Sequence, residues 1–183
     1  MASTFQILQA AKIIHHGGII AYPTESVYGL GCDPLSEHAV NRILQLKQRP
    51  VEKGLILLAS NLQQLLAFVE ISRDEEKKIS DFKAPMTWLV KKSIQTPSWI
   101  SGRHSKVAIR ISQHPLVQQL CQQLAQPIVS TSANPSNKKP ANSVLQARHY
   151  FRNNIDMYLN GETGPLKNPT PISDLANNEL IRH

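Results

Sequence analysis

Ser36-Glu37-His38-Ala39-Val40-Asn41-Arg42-Ile43-Leu44-Gln45-Leu46-Lys47-Gln48-Arg49-Pro50-Val51-Glu52-Lys53-Gly54-Leu55-Ile56-Leu57-Leu58 changes its apolar period half-way. Ala39, Val40, Ile43, Leu44 and Leu46 recur at helical spacing behind Ser36, which can cap the first turn. Leu55-Ile56-Leu57-Leu58 is a short continuous apolar run, the pattern of a strand buried on both faces. Between them Lys47, Arg49 and Lys53 put three cations within seven residues. A helix and a doubly buried strand joined by a cationic turn predict a sheet with helices against it.

The preceding segment repeats the unit. Ser3-Thr4 can cap a helix carrying Phe5, Ile7, Leu8, Ala11 and Ile14, Gly17-Gly18 ends it, and Ile19-Ile20-Ala21-Tyr22 reads as a strand. Beyond the opening stretch, residues 61–82 read as two short helices. Met86–Val90 and Val107–Ile111 read as strands, and Leu116, Val117, Leu120, Cys121 and Leu124 as one face of a helix. Ile128-Val129 re-enters a sheet, Pro135–Asn142 reads as a mobile polar surface loop, and short strands return near Met157-Tyr158-Leu159 and Glu179–Arg182. The irregular order predicts an open α/β (α+β) sheet with flanking helices, not a strict βαβ alternation. With 183 residues, 41% of them hydrophobic, and no linker or repeat, the expectation is a single domain over 1–183.

Twenty Lys+Arg against 13 Asp+Glu give a net charge of +7, a field that attracts nucleotides and RNA alike. The basic residues are dispersed, as in Lys77-Lys78 and Lys138-Lys139, which fits a solvated face as well as an RNA groove. Cys32 and Cys121 stand far apart without Cys-x-x-Cys spacing, so they read as free thiols and not as a zinc knuckle or a disulfide framework. The N-terminus lacks a basic leader, and no run approaches the roughly 20 apolar residues of a membrane span, so a cytoplasmic setting without membrane contact is expected.

Ser130-Thr131-Ser132-Ala133-Asn134 closes the strand at Ile128-Val129 with short donors and acceptors, where loops hold ligands in open sheets. Taken alone it reads as a Ser or Asx turn, and Lys47 and Arg49 read as helix C-terminal cations. Taken together the two blocks read as walls of a phosphate site. Other chemistries lack their signatures. Gly29-Leu30-Gly31 has Pro34 where a dinucleotide fingerprint needs a third glycine, no P-loop is present, and the histidines have no metal-ligand spacing. Ser132 lacks the Gly-x-Ser-x-Gly context of a nucleophile.

Tyr22-Pro23-Thr24-Glu25-Ser26-Val27-Tyr28-Gly29-Leu30-Gly31, Lys47-x-Arg49-Pro50, Arg110-Ile111-Ser112-Gln113-His114-Pro115 and Ser130–Asn134 occur in the order of the signatures of the YrdC-like family. The chain resembles this family, the threonylcarbamoyl-AMP synthases in their short single-domain form, from about residue 8 to Arg182. The resemblance implies a twisted sheet with a basic concave cleft, no C-terminal extension domain, and condensation of L-threonine, bicarbonate or CO2, and ATP. The products would be L-threonylcarbamoyl-adenylate and pyrophosphate, and downstream transfer proteins would pass the group to tRNAs reading ANN codons. It further implies that Lys47 and Arg49 are catalytic and bind the triphosphate. Lys53, Ser130, Asn134 and Arg182 complete the ATP set, and Thr24, Ser26, Arg110 and Ser132 hold the threonine and its carbamate. Mg2+ would ride on the triphosphate, with no tightly held protein metal.

The chain departs from the family pattern at four places. Lys83-Ala84-Pro85 stands for a usual Pro-Gly-Pro, Asn137 for a glycine, Ser26 for a threonine, and Thr170-Pro171 for a Ser-Thr pair. Asn137 can adopt the positive φ of the glycine it replaces, and Pro171 removes a backbone donor. Two rival readings stay open. One is a tRNA- or rRNA-binding module, favoured by charge but short of stacking side chains; the other is an enzyme that adenylates an amino acid directly. Weak, salt-dependent RNA binding is expected in either case.

Overall fold

A computed structural model describes residues 2–182. Helix α1 (Thr4–His15) opens on a reciprocal capping box: Ser3 Oγ accepts the Gln6 N–H and Gln6 Oε1 accepts the Ser3 N–H. Helix α2 (Glu37–Lys47) is capped by Ser36 and ends at Gln48 in the left-handed conformation, φ 51°. The remaining helices are α3 (Arg73–Asp81), α4 (Ser98–Ser101), α5 (Pro115–Leu124) and α6 (Val144–Phe151). A 3-10 helix at Leu62–Phe68 precedes α3, so the two short helices expected over 61–82 are present. None of the helices described is long and apolar enough to cross a membrane.

The strands are β1 (Ile20–Pro23), β2 (Tyr28–Gly31), β3 (Ile56–Ala59), β4 (Thr87–Lys91), β5 (Lys106–Ile111), β6 (Ile128–Ser132), β7 (Met157–Tyr158), β8 (Ile172–Asp174) and β9 (Leu180–Arg182). Among the described residues they form one mixed sheet in the order β7-β1-β2-β6-β3-β5-β4-β8-β9. Three neighbouring pairs are parallel and the rest antiparallel. The mixed order departs from strict βαβ alternation as anticipated.

Side chains alternate between the two faces of each strand. One face carries Ala21, Leu30, Val129, Leu57, Ile109 and Trp88 and packs against α2, α3, α4 and α6. The other carries Ile20, Tyr22, Ile128 and Leu58 and packs against α1 and α5. Those two helices cover only part of that face. Ile56 and Ala108, paired across β3 and β5, lie on it beyond the cover, and so does Arg110, two residues along β5. The uncovered part is the floor of the cleft described next, so core and cleft share one continuous surface.

Several elements depart from the sequence reading, which does not anticipate α4, α6 or β8. Strand β2 escapes the strand signal because two of its four residues are glycine, which offers no side chain to an apolar alternation. The Pro135–Asn142 loop, expected to be mobile, is tied down at both ends. Ser136 N–H and Oγ bond the Lys47 carbonyl, Asn134 Nδ2 donates to Lys138 O, and the buried Ala141 gives its carbonyl to Tyr28 N–H. Asn137 has φ 65°, so it takes the left-handed conformation of the glycine it replaces.

Candidate active site

The left-handed end of α2 turns the chain so that Lys47 and Arg49 diverge. Lys47 is 4% exposed and points into the Ser130–Asn134 block. Its ammonium donates to the carbonyls of Ser132 and, at 2.8 Å, Asn134, with Asn134 Oδ1 at 3.3 Å. Burial, and secondarily the Arg49 charge, pull the Lys47 ammonium down to about 8. Lys47 and Asn134 therefore clamp the two blocks together and line neither cavity of the cleft. This differs from the sequence expectation of two ligand-facing groups. Asn134 is consumed within its own turn, accepting from Ser132 Oγ at 2.6 Å and donating to Pro135 and Lys138.

Arg49 faces the cleft. One Nη2 donor reaches Gly54 O at 2.9 Å, while its buried Nε has no partner. Gly54 makes this possible: it sits at φ 62°, and a Cβ there would lie 3.2 Å from the carbonyl oxygens of Ile100 and Ser101.

Two cavities adjoin at Arg49, Leu55, Ile56 and Arg182, residues that line both. The larger, about 410 Å³, has an apolar floor of Ile56, Leu89, Ala108 and Ile172 and a basic margin of Lys53 and Lys106. The smaller, about 190 Å³, is lined by Thr24, Ser26, Ser130, Ser132 and Arg110, groups rich in hydroxyls. Lys53 stands beside Arg49 as the sequence implied. Ser130, expected with the nucleotide set, instead joins the threonine and carbamate set in the smaller cavity, because its register on β6 places it there.

Arg110 is 7% exposed and holds Thr170 Oγ1 with one nitrogen, while a second lies 3.8 Å from Glu25 Oε2. Glu25 Oε1 also accepts from Ser112 Oγ and from the Gln113 N–H at 3.1 Å. Burial alone would push the Glu25 carboxyl up. The Arg110 guanidinium and the hydrogen bonds from Ser112 and the backbone outweigh it and hold the carboxyl below its ordinary value. Arg182 donates to Thr170 O at 2.6 Å, and burial followed by the like charge of Arg110 pulls it down. Among the described residues the ion pairs are Arg42–Asp156, Lys91–Glu70, Lys106–Asp174 and Arg110–Glu25. Arg49, Lys53 and Arg182 thus meet at the cavities without a carboxylate, an arrangement that favours an anionic occupant.

Glu25 was not singled out in the sequence. The available signal was a lone acidic residue following the buried run Ile19–Tyr22, where an isolated charge needs a buried partner. Pro171, which lacks a donor, still gives its carbonyl to Thr87 N–H at 2.9 Å, so β8 stays joined to β4 despite the departure there.

The Sua5/YciO/YrdC family model, described as "Telomere recombination", matches residues 12–183. The chain belongs to this family. Within the Sua5/YciO/YrdC family, a threonylcarbamoyl-AMP synthase of Pseudomonas entomophila (strain L48) is 46% identical over 184 residues, covering 100% of this chain and 99% of that one. A protein of the same name from Pseudomonas aeruginosa (strain UCBPP-PA14) is 45% identical over the same span. The crystal structure of P. abyssi Sua5 complexed with L-threonine superposes with a TM-score of 0.90 at 29% identity, over 97% of this chain and 53% of that one. The chain thus spans about half the length of the P. abyssi protein. E. coli YciO, at 23% identity and TM-score 0.85, covers 99% of this chain and shares the fold.

Proposed function

We propose that this chain condenses L-threonine, bicarbonate or CO2, and ATP into L-threonylcarbamoyl-adenylate and pyrophosphate, the first step of threonylcarbamoylation of tRNAs reading ANN codons. The observation that carries the reading is the junction of the two cavities. A small hydroxyl-rich pocket with an arginine suits an amino acid, a larger pocket with an apolar floor and basic margin suits a nucleotide, and Arg49 and Arg182 stand where they meet. Relatives named threonylcarbamoyl-AMP synthase at 46% identity over the full chain support the same assignment.

The unprotonated amine of threonine adds CO2, giving up a proton to become a carbamate. A carbamate oxygen then forms a bond to the α-phosphorus of ATP, and the bond from that phosphorus to the bridging oxygen of the β-phosphate breaks, so pyrophosphate leaves with the electron pair. Both reactants are anions, and their repulsion is the main obstacle. Arg49 and Arg182 at the junction lower it, while Arg110 and the hydroxyls of Thr24, Ser26, Ser130 and Ser132 orient the amino acid. A divalent cation such as Mg2+ enters with the triphosphate as part of the substrate and spreads its charge. Among the described residues no group of three or more His, Cys, Asp or Glu side chains is placed to hold a metal ion.

The test is incubation of the purified chain with ATP, threonine and bicarbonate, with the adenylate identified by mass. The carbamoylated product is expected, with pyrophosphate release abolished in CO2-depleted buffer and independent of added RNA. Plain threonyl-adenylate would establish direct adenylation instead, and strict dependence on tRNA would favour an RNA-binding role.

Threonine should be preferred over serine by about 10–200-fold, the range that one methyl group in a pocket supplies. Competing the two amino acids and comparing kcat/KM checks this; equal use would remove threonine as the designated substrate.

Arg49→Lys should reduce turnover by roughly 10²-fold although charge is kept, because a lysine cannot bond Gly54 O and also fork onto a phosphate. Lys138→Ala changes an exposed side chain in the polar loop and should leave turnover nearly unchanged at physiological salt, where the Debye length is about 8 Å. Steady-state pyrophosphate release by the two variants decides the role of Arg49.

A further inference from the structure

We infer that Tyr22 is a positioning residue that fixes Ser130 as a hydrogen-bond donor to an anionic oxygen of the substrate in the smaller cavity; the inference rests on the function proposed above. Tyr22 lies directly opposite Gly29 across β1 and β2, and Gly29 lies opposite Ser132 across β2 and β6. Its ring crosses β2 over the bare backbone of two glycines. A Cβ on Gly31 would come within 2.8 Å of Tyr22 Cε1, and one on Gly29 within 3.3 Å of Cζ. The Gly29-Leu30-Gly31 spacing, which serves no dinucleotide, thus provides the passage by which a side chain on β1 reaches the third strand. There Tyr22 Oη donates to Ser130 Oγ at 2.9 Å.

Tyr22 is fully buried at the edge of the α1/α5 core, where burial pushes its phenol far above the ordinary value, and the phenol oxygen donates to Ser130 Oγ. Ser130 spends a lone pair on Tyr22. Among the described residues its own hydroxyl proton has no acceptor, and Ser130 lines the smaller cavity. Two neighbouring hydroxyls are committed elsewhere, Thr24 donating to Val27 O at 2.8 Å and Ser132 to Asn134 Oδ1 at 2.6 Å, whereas Ser26 and Thr170 line the same cavity. Ser130 therefore meets an occupant as a donor, alongside the Arg110 guanidinium. A donor in that place donates to a carboxylate or a carbamate oxygen and disfavours an ammonium.

The experiment is a double-mutant cycle on the full chain with Tyr22→Phe, Ser130→Ala and both together. It reads threonine binding by calorimetry without bicarbonate, and KM and kcat of pyrophosphate release. Tyr22→Phe keeps the ring but lets the Ser130 hydroxyl turn away, so a loss of roughly tenfold is expected. The double variant should be no worse than Ser130→Ala alone. If the oxygen served is the carboxylate of threonine, the loss appears in threonine affinity and KM. If it is the carbamate oxygen, threonine affinity holds and kcat falls. Gly29→Ala, whose Cβ would press the Tyr22 ring, is a second variant that reports if Tyr22→Phe does not fold, and its penalty too should shrink when Ser130 is alanine. Unchanged binding and turnover, or penalties that multiply in the double variants, would overturn the inference while leaving the proposed reaction intact. A wild-type chain that neither binds threonine nor forms the carbamoylated adenylate would overturn the reaction first and the inference with it.

Discussion

Arg110→Met should lose about 3–5 kcal/mol of stability at pH 7 and recover part of that loss as the pH is lowered toward 5. In the native chain Glu25 is 4% exposed and its carboxyl is held below its ordinary value. A carboxylate of that kind contributes stability above its unfolded pKa, and the contribution is lost as pH falls through the folded one. Removing the guanidinium inverts the case. Burial then dominates, the Glu25 pKa rises above its unfolded value, and the destabilisation is fully present at higher pH and relieved as the carboxyl takes up a proton. Urea unfolding of both proteins at pH 7.5 and pH 5 measures the narrowing. The pair Glu25→Gln with Arg110→Met should restore most of the stability without restoring turnover, since Arg110 also lines the smaller cavity. A deficit independent of pH would assign Arg110 a packing role alone.

Lys47→Met should reduce turnover by roughly 10²-fold although Lys47 touches neither cavity. Its ammonium ties the carbonyls of Ser132 and Asn134, and the Lys47 carbonyl receives the N–H and hydroxyl of Ser136. Methionine fills the space but removes the ammonium from the Asn134 carbonyl and leaves Ser132 O with only the Asn134 N–H, which costs about 1–3 kcal/mol and loosens the end of β6 that carries Ser130 and Ser132. The expected signature is a rise in KM for threonine together with a fall in kcat, in a protein that still melts cooperatively. Full activity in Lys47→Met would show that the wall is held by the β2 and β3 pairings and the Ser136 bonds to the backbone carbonyl at position 47.

What could be read from the sequence was local in origin. Ser3 and Ser36 cap as their spacing indicated, and the change of period at Lys47–Gly54 marks a real passage from helix to buried strand. The family signatures brought Thr24, Ser26, Arg110 and Ser132 into one cavity and Arg49, Lys53 and Arg182 to its neighbour. What escaped depends on pairings distant in sequence. Lys47 and Arg49 are equivalent cations by composition, and only the left-handed residue between them sends one into the Ser132 turn and the other into the cleft. Glu25 and Arg110 are 85 positions apart, and no periodicity links them. Ser130 and Ser132, two apart on β6, share the face that floors both cavities, so which cavity Ser130 lines is set by the pairings of β6 with β2 and β3, which a string of small polar residues does not reveal.

Arg182 reaches both cavities from the least secured strand of the sheet. All three residues of β9 are exposed, and the strand is held on one side only, by β8, through a register that shifts at Ile172 and Ser173. Such an edge opens at little free-energy cost. The apparent dissociation constant of any anion that Arg182 grips is its intrinsic value divided by the fraction of molecules with β9 docked. The anion in turn holds the strand against β8, so filling the cleft and ordering β9 are one coupled equilibrium, and occupancy will register as slowed amide exchange along β9.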